Sequence, residues 1–116
     1  MVLPEEGCLL RIFIGEADRH EGKPLYEWLV LKAREMGLAG ATVVRGMIGF
    51  GAHSRLHTFR IERLSTDLPI VVEIVDTREE IEQFLKIVDD VVPEGLATLE
   101  DVHIHLYRTG EKGSAA

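Results

Sequence analysis

The amino-acid sequence predicts an α+β fold, a four-stranded antiparallel sheet with two helices on one face. Three observations predict it. Apolar runs of strand length alternate with two stretches of helical period, in the order β-α-β-β-α-β. Each helical stretch carries a single apolar stripe, so each covers one surface only. The last run alternates apolar and polar residues strictly, as a half-exposed antiparallel strand does. Two split βαβ units in this order form the ferredoxin-like sandwich.

Residues 8–15 (CLLRIFIG) are short, apolar and closed by a glycine, which favours a buried strand over a helix. Arg11 in its middle marks a face that is wet or meets a charged neighbour. Residues 16–23 are polar and read as a loop. Pro24 suits the first turn of a helix, where its missing N–H is not needed. Leu25, Trp28, Leu29, Ala33 and Met36 then recur at helical spacing, and Gly37 is placed as the C-terminal cap. Residues 41–48 form the second predicted strand. Gly46 inside it signals a bulge or a close backbone approach.

Gly49 and Gly51 release the chain into a loop at 52–64, longer than the usual connection of ~4–6 residues. Residues 69–76 (PIVVEIVD) are the densest β-forming run. Thr77 with Glu80 matches the capping-box pattern. Ile81, Phe84, Leu85, Val88 and Val92 make the second helical stripe, ended by Pro93 and Gly95. Residues 102–107 supply the last strand, with 96–99 as a short strand leading into it. The whole chain, 1–116, is expected to be one domain, with 1–7 and 110–116 as flexible tails.

Composition narrows the class. A net charge of −7 argues against general binding to nucleic acid or to an anionic membrane. The single cysteine, Cys8, cannot close an internal disulfide. No apolar run reaches the ~18–20 residues of a membrane span, and the acidic first residues do not form a signal peptide. The expectation is a cytoplasmic protein without direct membrane insertion. Helices on one face leave the other sheet face bare and partly apolar, which predicts self-association into a small closed ring.

The 52–64 loop concentrates His53, Arg55, His57, Arg60 and Arg63 against one acid, Glu62. Guanidinium forks match phosphate and carboxylate geometry. The loop therefore reads as an anion-binding or partner-docking element, with a merely solvated basic loop as the plainer alternative. Arg55, His57, Arg60 and Arg63 are the docking candidates. Gly49 and Gly51 can let backbone N–H groups approach a phosphate, or can simply permit a positive φ. His103 and His105 fall on one side of the predicted strand and are the candidate metal ligands. No Cys or carboxylate cluster surrounds them in the pattern, so an exposed strand face or a surface between subunits is expected instead of a metal. No nucleophile–base pair can be assembled, and no enzyme is expected. Glu73 in its apolar strand reads as lying at a strand edge or as pairing with an arginine such as Arg11 or Arg45, a structural and not a catalytic role.

Two long stretches, GKPLYEWLVLKAREMGLAGATVVRGMIGFG and LSTDLPIVVEIVDTREEIEQFL, resemble the PII-like proteins of the domain-of-unknown-function 190 family. The resemblance covers about residues 9–107. A fainter likeness to true PII signal proteins lies in Gly49–Gly51, in LPIVVEIVD and in RTGEKG at 108–113. The resemblance implies a ferredoxin-like homotrimer whose long loop contacts effectors. It implies an adenine nucleotide (AMP, ADP or ATP) held between subunits, with Gly49, Gly51 and His53 lining the loop side and Arg108 supplying charge. No cofactor is required, and a membrane transport protein is the implied partner.

The departures from PII matter as well. Ala52, His53 and Ser54 stand where PII proteins carry basic and amide residues. Leu106 replaces one of two arginines, and VVPEGLATLE lacks the lysine of the second PII loop. Phe59 does not reproduce the modified tyrosine. A less charged nucleotide, or weaker binding, is expected. The alternative is a ligand-independent interaction module that regulates a membrane transporter or channel.

Overall fold

The structure, a computed structural model, describes residues 5–50, 57–58 and 67–110, with 57–58 as backbone. Strand β1 (Glu6–Gly15) leads to a short ribbon of β2 (Arg19–His20) and β3 (Lys23–Pro24), then to helix α1 (Leu25–Glu35). Strand β4 (Ala41–Arg45) follows. A second ribbon pairs β5 (Ile48–Gly49) with β6 (His57–Thr58). Strand β7 (Pro69–Asp76), helix α2 (Arg78–Val91) and strand β8 (Leu96–His103) complete the chain. The sheet order is β4-β7-β1-β8, with every neighbouring pair antiparallel. This is the expected ferredoxin-like arrangement.

Alternation along the strands builds the core. Cys8, Leu10, Ile12 and Ile14 of β1 and Ile70, Val72 and Ile74 of β7 face the helices and are buried. Leu25, Leu29 and Ala33 of α1 and Ile81, Phe84 and Val88 of α2 close over them. Trp28, Met36, Leu85 and Val92, also on the expected stripes, pack at the edge of this core. Gly37 takes φ +78 just past α1, the left-handed cap the sequence calls for.

Four local features differ from the sequence reading, each for a physical reason. β1 begins at Glu6, so residues 6 and 7 are strand and not tail, because β8 offers partners as far as His103. Residues 16–23 are not wholly loop. They turn back as the β2–β3 ribbon, which Trp28 holds by packing on His20 and donating to Glu21. Pro24 ends that ribbon and immediately precedes the helix. β4 stops at Arg45, since Gly46 lies so close to Pro69 that an added Cβ would sit 2.7 Å from the proline ring.

The fourth difference bears on function. The last strand is Leu96–His103, one continuous element, and not 102–107. The last described pair of the β1–β8 ladder is Glu6 opposite His103. Residues 104–109 continue without regular pairing as a strap over one end of the sheet. The alternation of Ile104, Leu106 and their neighbours belongs to this strap.

The capping box is half formed. Thr77 accepts from the Glu80 N–H at 3.1 Å, but the Thr77 N–H donates to Asp76 at 2.6 Å instead of to Glu80.

Candidate ligand cleft

The face of the sheet away from the helices carries three different rows. Register aligns Val44, Val71, Phe13 and Leu96 across all four strands as an apolar row. Phe13, Val44 and Leu96 are exposed. The next row is polar and reads Thr42, Glu73, Arg11, Thr98. Arg11 donates from Nε to Glu73 at 2.9 Å and from a terminal nitrogen to Glu100 at 3.3 Å. The hydrogen bond to Glu73, outweighing partial desolvation, raises the Arg11 pKa above its ordinary value. Beyond this row lie Val75 and Leu9.

The third row is roofed. The strap brings Ile104, Leu106 and Tyr107 over it, and the turn at Ala39 and Gly40 closes the side. The result is a cleft of about 590 Å³ with Leu9, Val75, Arg11 and Glu73 on its floor and Thr42 at its edge. Two hydrogen bonds fix the turn. Ala39 N–H donates to Asp76 at 2.8 Å, and Tyr107 donates to the Ala39 carbonyl at 3.0 Å. Asp76 is buried, and its carboxylate accepts from both Ala39 and Thr77.

This cleft combines apolar walls with a carboxylate, a hydroxyl and exposed turn backbone, the mixture expected of a small-molecule site. Its volume falls in the ~300–1,000 Å³ range of such sites. Arg11, its cation, is already engaged by two carboxylates. The described walls therefore suit a flat, weakly charged group better than a polyphosphate.

Of the residues singled out from the sequence, Arg108 is exposed directly after Tyr107 at the strap's end. Gly49 lies elsewhere, against Pro69, where an added Cβ would meet the ring at 3.1 Å. From Pro69 to Glu73 is four residues of extended strand, ~13 Å. His57 pairs with Gly49 through its backbone. Gly51, His53, Arg55, Arg60 and Arg63 lie outside the described residues. His103 ends β8, 3.4 Å from Glu6, while His105 falls past the strand in the strap, so the two do not share a strand face. Among the described residues no group of three metal-ligating side chains occurs. Glu73 pairs with Arg11, while Arg45 binds Glu16 at 3.1 Å. Sequence reading missed Leu9, Thr42, Val75 and Tyr107 as cleft residues. Only the β1–β7–β4 register and the strap bring them together.

A one-sided split-βαβ sheet with the β5–β6 ribbon at one end and a roofed cleft at the other is a PII-like fold. The solved structures agree. The chain superposes on CPII, a nitrogen regulatory PII-like protein from Thiomonas intermedia K12 solved with ADP, AMP and bicarbonate, with TM-score 0.67. That match has 17% identity and covers 87% of this chain and 90% of the other. It also superposes on GlnK of B. subtilis in complex with ATP, with TM-score 0.54 and 13% identity over 87% of this chain and 85% of the other. At sequence level, residues 7–104 match the DUF190 family model, described as Uncharacterized ACR, COG1993. A UPF0166 protein of Aquifex aeolicus is 44% identical over 96 residues, 83% of this chain and 90% of that one. UPF0166 protein MJ1524 of Methanocaldococcus jannaschii is 34% identical over 104 residues, 89% of this chain and 95% of that one. The chain belongs to the DUF190 family. No helix among its described residues is long and apolar enough to cross a membrane.

Proposed function

We propose that this protein is a PII-like regulator that binds an adenine nucleotide in the strap-covered cleft and signals through its 52–64 loop. The observation that carries the reading is the cleft itself, with its apolar residues Leu9 and Val75 beside the polar Thr42 and Glu73. A purine fits such a site by stacking on apolar walls while its polar edge finds hydrogen-bond partners. Arg108, next in sequence to the cleft residue Tyr107, would supply charge for a phosphate. Because Arg11 is already paired, a monophosphate or diphosphate suits the site better than a triphosphate.

Three copies arranged around the bare sheet face would cover the Val44–Val71–Phe13–Leu96 row and bring loop and cleft of neighbouring copies together. That closed homotrimer is part of the proposal, as are a cytoplasmic location, the absence of catalysis and a membrane transport protein as the regulated partner. Ligand binding switches the loop only to the extent that it favours one loop state over another.

Calorimetric titration with AMP, ADP and ATP, with and without magnesium, tests the reading. One ligand per subunit, with affinity reduced by Thr42→Val and by Arg108→Ala, is the expected result. Silence across the panel from a folded protein overturns it. One observation favours a second reading, the ligand-independent docking module. Met47, Ile48 and Phe50 are 74%, 60% and 70% exposed at the base of the loop, an apolar patch suited to a protein partner.

A further inference from the structure

One wall of the cleft differs in kind from the rest. The floor is sheet, fixed by the ladders of β1 and β7. The roof is the strap, which leaves the sheet where β8 loses its partner at His103. Ile104 N–H still reaches the Glu5 carbonyl. Leu106, two residues on, is 57% exposed, so apolar contact with the domain holds it only weakly. Tyr107 is half-buried, and its hydroxyl returns to the domain at the Ala39 carbonyl.

We propose that Tyr107 is the clasp of the cleft, a positioning residue whose bond to Ala39 holds the strap closed as a roof and slows escape of the occupant. The acceptor is itself anchored. Ala39 N–H is held by Asp76, whose other oxygen accepts from Thr77 at the start of α2. The bond therefore joins the strap to a fixed point of the core, as a latch joins a door to its frame. Phenylalanine at 107 keeps the ring but removes the donor and leaves the Ala39 carbonyl without its partner. The net value of a hydrogen bond of this kind corresponds to roughly a three- to ten-fold change in an opening equilibrium.

The inference rests on the cleft as ligand site only for its effect on binding, and its test separates the two. The first arm needs no ligand. Trypsin cleavage after Arg108, followed by mass spectrometry, reports how often the strap leaves the sheet, because the protease acts on the opened segment. Tyr107→Phe should be cut roughly three- to ten-fold faster than the unaltered protein. Leu106→Ala, which trims the roof but keeps the clasp, should leave that rate near its original value. Equal rates for Tyr107→Phe and the unaltered protein overturn the clasp.

The second arm measures AMP binding and release. The clasp predicts weaker binding and faster dissociation in Tyr107→Phe by a similar factor. Faster cutting with unchanged AMP release overturns the effect on the occupant. Faster cutting with no AMP binding to either protein supports the strap latch and counts against the nucleotide reading alone.

Discussion

Replacing Phe13 by Glu tests whether the bare sheet face is where copies of the chain meet. Phe13 stands in the middle of the apolar row, opposite Val71 on one side and Leu96 on the other. A phenylalanine offers ~200 Å² of surface, and Phe13 at 37% exposure still leaves ~75 Å² in water. Covering that area on assembly is worth about 2 kcal/mol per copy at ~25 cal/mol per Å². Over three copies the total is about 6 kcal/mol, or roughly four decades in the assembly constant. A glutamate loses this and adds the cost of desolvating a charge. The side chain points away from Leu10, Ile12 and the helices, so the monomer core is left intact. Sedimentation equilibrium across micromolar concentrations should show the unaltered protein as a trimer and Phe13→Glu as a monomer with little change in circular dichroism. A Phe13→Glu protein that stays trimeric at the same concentrations refutes the assignment of this face.

Two further substitutions probe what holds the cleft in shape. Asp76→Ala strips two charge-assisted bonds and leaves the Ala39 and Thr77 N–H groups unpaired beside the core; urea unfolding should show a loss of about 3 kcal/mol, and a loss below about 1 kcal/mol would mean that water replaces the carboxylate. Arg11→Gln removes a partly exposed pair, so its cost in the isolated chain should be small beside that of Asp76→Ala. Because the Arg11 pKa is raised on folding, its contribution is present below the ordinary arginine pKa and is lost only above the folded one. The stability gap between Arg11→Gln and the unaltered protein should therefore be the same at pH 7 and pH 9, and a gap that closes by pH 9 would contradict this.

The sequence made the core plain because burial dictates residue type at every second strand position and along one helix stripe. Pro69–Asp76 could be bounded to the residue because a proline opens it and a capping threonine follows it. Gly46 could be marked as a close approach because a glycine inside a strand-like run has few other uses, and Pro69 is what it approaches. The last strand could not be placed from its own residues. Alternation in 102–107 is genuine, but strand length depends on the partner strand, and the described β1–β8 ladder stops at the pair Glu6–His103. The cleft stayed hidden for the same reason. Leu9, Thr42, Val75 and Tyr107 are scattered along the chain, and each alone is an ordinary strand or strap residue. Glu73 was readable as a strand-edge residue or the partner of an arginine such as Arg11 or Arg45, yet its place on a cleft floor depends on a register that no local pattern encodes.

The two ends of the sheet constrain how a signal can pass. β4 and β7 run together from the cleft to the loop. Thr42 opposite Glu73 belongs to the cleft, while Arg45 opposite Ile70 leads to the Gly46–Pro69 contact and the β5–β6 ribbon. Gly46 N–H donates to the Pro69 carbonyl at 2.7 Å, which fixes the loop base to the start of β7. Within one copy the ~13 Å of strand between Pro69 and Glu73 is more than a purine spans. For the proposed nucleotide this leaves two routes to a loop: extension along β7 through its phosphates, or contact with the loop of a neighbouring copy. The second route ties the proposed signalling to the assembly that Phe13→Glu should abolish.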